Sequence, residues 1–101
     1  TVDIVVSAYA IHHLDDGAKA QAACEAHRVL RPRGAFVVAD TMFRDEAHKA
    51  EALRAHADLE DEYQPLLTTL PLLVEQAGFV DVRLHQPGEL VWVLAGRRGP
   101  I

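Results

Sequence analysis

Two histidines stand side by side, His12 and His13, and the acid pair Asp15-Asp16 follows just after Leu14. A further acid, Asp40, closes the apolar run Ala35-Phe36-Val37-Val38-Ala39. Imidazole titrates near neutrality, so a histidine lining a cleft is a candidate proton acceptor. Histidines beside an acid are also the residue types that hold a metal ion. The spacing argues against that use, because adjacent histidines rarely converge on one ion and the i, i+4 helical spacing is missing. No metal site is expected. His13 reads as a histidine packed into its turn, and Asp15-Asp16 as a helix cap. His27, His48, His56 and His85 share no spacing that would gather them.

These residues need elements to place them. Val2-Asp3-Ile4-Val5-Val6 is a short, β-branched apolar run and predicts a strand over Val2–Ser7 that is buried on both faces. Such strands lie in the middle of sheets, so the run implies a further stretch of chain before Thr1. Ala8–Leu14 is then a loop, and Gly17–Leu30 a helix with Ala22, Ala26, Val29 and Leu30 as its packing stripe. Cys24 should lie on a face of that helix as a small hydrophobe. Arg31-Pro32-Arg33-Gly34 stops the helix and turns the chain into a second buried strand, Ala35–Ala39. This is a βαβ unit, and ligands of open α/β sheets bind beyond the carboxyl ends of the strands, where Ser7 and Asp40 stand.

The second half changes character. Asp45–Asp61 reads as a charged helix with a thin stripe of Ala47, Ala50, Leu53, Ala57 and Leu59, broken by Tyr63-Gln64-Pro65. Thr68 or Thr69 would cap a short helix with Pro71 in its first turn and Gly78 at its end. Val80–Gln86 alternates as a half-buried strand, Pro87-Gly88-Glu89 turns, and Leu90–Ala95 is the last strand, with Trp92 inside it. So short a connection makes the last two strands antiparallel neighbours. The partition is a βαβ unit over 1–40, a helical segment over 41–79, a hairpin over 80–96 and a polar tail over 97–101.

Composition narrows the classes. With 101 residues, half of them hydrophobic, the chain is one globular domain or part of one. A net charge of −5 argues against nucleic-acid binding, which needs clustered cations. Neither a membrane span nor a signal-peptide pattern is present in the sequence. A single cysteine, Cys24, excludes an internal disulfide and makes the cytoplasm the expected setting.

Three segments in register resemble the class I S-adenosylmethionine-dependent methyltransferases. Asp3–Leu14 is similar to that family's fourth strand and its His-His-Leu turn. Val29-Leu30-Arg31-Pro32-Arg33-Gly34-Ala35-Phe36 resembles its Leu-Lys-Pro-Gly-Gly turn into strand five, with Arg33 in place of the first glycine, which should alter the turn's backbone without touching chemistry. Leu72–Phe79 resembles the Leu-Ala-Gly-Phe element before strand six. The resemblance implies a partial doubly wound, mostly parallel α/β sheet, strands four to seven of that fold, ending in an antiparallel hairpin. Numbered within this chain, the strands should lie in the order one, two, four, three, with only the last antiparallel.

It also implies a division of labour. The glycine-rich loop and the ribose-binding acid belong to the family's first three strands, and the six glycines here form no such loop. S-adenosylmethionine would therefore find its main site in a half that this sequence does not include. Ser7, Ala8, Tyr9 and Ile11 would line the cofactor, His12 would face the pocket as a base for a protonated acceptor, and Asp40 and Thr41 would sit on the acceptor side. Residues 41–79, including Tyr63, fall where relatives carry a variable acceptor lid. The favoured acceptor is a small molecule, and Val2–Ser7 offers an open edge for self-association. The rival readings are an inactive fragment or interaction module, and another doubly wound domain, which the closing hairpin disfavours.

Overall fold

β-Branched residues favour extended backbone because they restrict rotation about the first side-chain bond. Val2–Ala8 accordingly forms strand β1. The computed structural model describes residues 1–56, 59 and 61–100. After β1 come a single 3-10 turn, Ile11–His13, and helix α1, Asp16–Val29. Asp15 caps α1 as expected, its carboxylate accepting the Ala18 N–H at 2.8 Å. Strand β2 is Leu30–Thr41, helix α2 Glu46–Ala55, helix α3 Leu70–Gln76, strand β3 Phe79–His85 and strand β4 Val91–Arg98.

The sheet order is β1-β2-β4-β3, with β1 parallel to β2 and β4 antiparallel to both of its neighbours. This is the expected topology. The core lies on one face, where Phe36 and Val38 of β2 and Leu94 of β4 meet Ala23 and Ala26 of α1 and Leu70 and Val74 of α3.

Several local expectations are corrected. β1 is covered on one face only: Val5 is partly buried, while Ile4 and Val6 are 55% and 61% exposed. Arg31–Gly34 does turn, but as a looped-out stretch inside β2, since Val2 pairs with Leu30 and Ile4 already with Ala35. Arg33 there has φ +67, the left-handed conformation that glycine takes without strain. The buried Gly34 beside it has no room for a side chain, since a Cβ would lie 3.0 Å from the Asp3 carbonyl.

The charged helix stops at Ala55 rather than Asp61, and it buries Ala52 while Ala47 and Ala50 are exposed. Ala57, assigned to its stripe, lies outside the described residues. Cys24 is exposed, not packed. Thr69 precedes α3 without a side-chain cap, though Pro71 and Gly78 (φ +109) stand as expected. The alternation of β3 is broken by a bulge at Asp81, φ +52, and Val80 and Leu84 are exposed. Arg97 and Arg98 belong to β4 instead of a tail, and Arg98 Nη1 donates to the carbonyls of His27 (2.9 Å) and Leu30 at the end of α1. Among the described residues no helix is long and apolar enough to cross a membrane.

Candidate functional site

Parallel pairing sets the ends of β1 and β2 level, with Ala8 opposite Ala39. The next residue of β2 is Asp40, fully buried. The next residue of β1 is Tyr9, whose N–H still bonds the Ala39 carbonyl at 2.8 Å. Tyr9 then takes φ +55, an uncommon conformation for a non-glycine residue, and leaves the strand abruptly. The 3-10 turn that follows brings His12 back over the end of β2.

Asp40 meets His12 twice. Its carboxylate accepts the His12 backbone N–H at 3.1 Å, and it lies 2.8 Å from His12 Nδ1. The Thr41 N–H adds a third bond at 2.8 Å. A carboxylate only accepts, so the Nδ1 that meets Asp40 carries a proton, and whenever the ring is neutral its basic nitrogen is Nε2. That Nε2 is 3.3 Å from Glu62 Oε2 and borders a recess of about 380 Å³ formed with His13, Asp61 and Tyr63.

Glu62 was not legible in the sequence, for it belongs to no motif and reaches the histidines only through the fold. The Tyr63 N–H bonds the His12 carbonyl at 3.0 Å, and the Lys49 ammonium bonds the Glu62 carbonyl. Lys19, buried on α1, donates to the Tyr63 carbonyl; burial pushes its pKa below the ordinary value, and Asp16 at 3.7 Å opposes that push. Helices α1 and α2 thus hold the 61–63 segment against the turn.

The other candidates divide. Ser7 and Ile11 line one groove of about 580 Å³ with Val5, Ala10 and Phe36, although Ile11 itself is a core residue, 4% exposed. Ala8 and Tyr9 are exposed and do not line it. His13 is not packed into the turn: its side chain is 66% exposed and its ring stands 4.1 Å from that of His12, centre to centre. Tyr63 is exposed as well.

Comparison with known proteins agrees with this architecture. Residues 1–38 match the family model described as a methyltransferase domain. An uncharacterized methyltransferase of Bacillus pumilus is 38% identical over 105 residues, covering 95% of this chain and 49% of that protein. One from Oceanobacillus iheyensis is 36% identical, covering 96% and 49%. The chain thus spans about half the length of these curated relatives.

Among solved structures, human N-acetylserotonin methyltransferase in complex with SAM superposes with a TM-score of 0.75 at 20% identity, over 96% of this chain and 29% of that one. The S-adenosylmethionine-dependent methyltransferase SibL superposes at 0.78 and 21% identity, over 96% and 31%. At that identity the likeness establishes the fold. With the sheet order, the family match and the relatives all in agreement, the chain has the fold of a class I methyltransferase from strand four to strand seven and is similar in sequence to methyltransferases.

Proposed function

We propose that this chain is the acceptor-side half of an S-adenosylmethionine-dependent methyltransferase that acts on a small molecule in the cytoplasm. The observation that carries the reading is His12, held by the buried Asp40 where the parallel strands β1 and β2 end level. S-adenosylmethionine, when bound, supplies a methyl group already activated on a sulfonium, so the protein mainly has to align an acceptor and exclude water.

The residues present fit one end of such a cofactor. Ser7, Ala8 and Tyr9, where the chain breaks from the strand at φ +55, offer backbone to the methionine portion, and Ile11 supports them from the core. The glycine-rich loop would come from the remainder of the protein. His12 Nε2 takes the acceptor's proton, and Asp40 is the positioning residue that fixes the ring and its tautomer. Residues 41–79 cover the acceptor side, with Glu62 and Tyr63 at its rim. The exposed thiol of Cys24 supports a reducing compartment. The open edge of β1 supports pairing between copies when the chain stands alone.

The test uses the full-length protein. It should bind S-adenosylmethionine in a calorimetric titration, and the 101-residue chain alone should not. With an acceptor found by screening small molecules for uptake of labelled methyl, His12→Ala should lower turnover much more than cofactor affinity. Unchanged turnover in that variant would remove the base role. No cofactor binding by the full-length protein would remove the methyltransferase reading itself.

A further inference from the structure

The geometry points to a site for a divalent transition-metal ion of the zinc type, made by His12 Nε2, His13 Nδ1 and Glu62 Oε2. Glu62 Oε2 lies 3.3 Å from His12 Nε2 and 3.3 Å from His13 Nδ1. Tetrahedral zinc with bonds of about 2.0–2.1 Å sets neighbouring ligand atoms about 3.3–3.4 Å apart. Two edges of the tetrahedron are therefore already at their length. All three atoms lie within 4.8 Å of one another, and the exposed His13 ring is free to close the remaining edge.

Adjacent histidines seldom converge on one ion, which is why their spacing in the sequence argued against a metal. The 3-10 turn changes that by setting the two rings 4.1 Å apart, centre to centre.

The surroundings are those of a metal ligand. Imidazoles that bind metals almost always donate their other N–H to a carboxylate or carbonyl, which fixes the ring and raises its basicity. Asp40 does this for His12 from a fully buried position. The segment bearing Glu62 is tied to the same turn through the bond from the Tyr63 N–H to the His12 carbonyl. The recess beside the three atoms leaves a fourth coordination position open to water or a ligand. Two imidazoles and one carboxylate suit zinc and its neighbours, and they disfavour magnesium and calcium, which prefer all-oxygen shells.

An ion on Nε2 occupies the lone pair that the proposed base uses. Zinc should therefore inhibit methyl transfer. That consequence rests on the reading of His12 as the proton acceptor, whereas binding of the ion does not.

Zinc chloride titrated calorimetrically into the full-length protein should bind one ion per chain at micromolar concentration or below, and magnesium chloride should not bind there. Cobalt chloride should show the visible absorption of a tetrahedral ion. His13→Ala and the isosteric Glu62→Gln should each weaken zinc roughly tenfold or more, and Asp40→Asn roughly 10–100-fold. His85→Ala should change nothing. His13→Ala should also lose the inhibition by zinc.

Absence of stoichiometric zinc binding overturns the site, as does affinity unmoved by both His13→Ala and Glu62→Gln. Binding that follows these variants while turnover ignores zinc upholds the site and sinks the base role of His12.

Discussion

Asp40 and His12 are 28 positions apart, yet one carboxylate accepts both N–H groups of that histidine, the backbone amide at 3.1 Å and ring Nδ1 at 2.8 Å. The pair fastens the turn after β1 to the end of β2, so it couples the stability of the sheet end to the orientation of the imidazole. Asp40→Asn replaces one acceptor oxygen with a donor that faces N–H groups. It should cost about 1–3 kcal/mol in denaturant unfolding of the full-length protein. Turnover should fall on the order of a hundredfold, with S-adenosylmethionine affinity nearly kept. A variant that unfolds like the wild type would show that the carboxylate is not bonded as described.

Arg98 acts at the opposite end of the sheet. Its guanidinium reaches the carbonyls of His27 and Leu30, which the end of α1 leaves without helical partners, and places a cation at the negative end of the helix dipole. Arg98→Met keeps most of the packing and removes these bonds. The expected loss is about 1–3 kcal/mol, read from the denaturation midpoint at an unchanged slope. A loss near zero would mean that solvent satisfies those carbonyls.

Arg33 is the reverse case. A left-handed conformation costs an L-residue roughly 1–2 kcal/mol, part of which glycine gives back through its freer unfolded chain. Arg33 is exposed, so little packing is lost on substitution. Arg33→Gly should leave stability unchanged or raise it by up to about 1 kcal/mol. A clear loss on thermal unfolding would place the arginine side chain in an interaction that outweighs its backbone strain.

Lys19 gives a pH dependence of definite sign. Burial lowers its folded-state pKa below the ordinary 10.5, so between the two values the unfolded chain binds more protons than the folded one. Stability from this residue is fully present above 10.5 and is lost as pH falls through the lowered folded value. Unfolding free energy should therefore rise with alkalinity in the wild type relative to Lys19→Met over that window. Parallel pH curves for the two proteins would contradict the burial of the ammonium.

The open edge of β1 can be tested on the isolated chain. Val2, Ile4 and Val6 are exposed along it, and Asp3, paired at 3.5 Å with Arg31, is its one charged residue. Unprotected apolar edges pair with other strands, and an inserted lysine is a common block. Light scattering should find the wild-type chain associated and Val6→Lys less so. A monomer that unfolds cooperatively would show that this edge needs no partner.

The order of the elements was legible because it rests on local physics. β-Branched runs, the Asp15 cap, Pro71, and Gly78 with its positive φ each act within a few residues of themselves. The strand order followed from a short connection and from resemblance along the whole chain. Local pattern failed where backbone irregularity or long-range contact took over. The bulge at Asp81 cancelled an alternation that reads well on paper. The 3-10 turn brought His12 and His13 to one point although neighbouring residues are expected to diverge.

For the site, the sequence by itself determined that a histidine pair follows one strand and that an acid ends the next. Only the tertiary structure decided that Asp40 holds His12 while His13 stays exposed, and that Glu62 faces both rings. The reason is physical. Parallel register places two strand ends level, and buried polar groups must find partners across that level, wherever the chain happens to carry them.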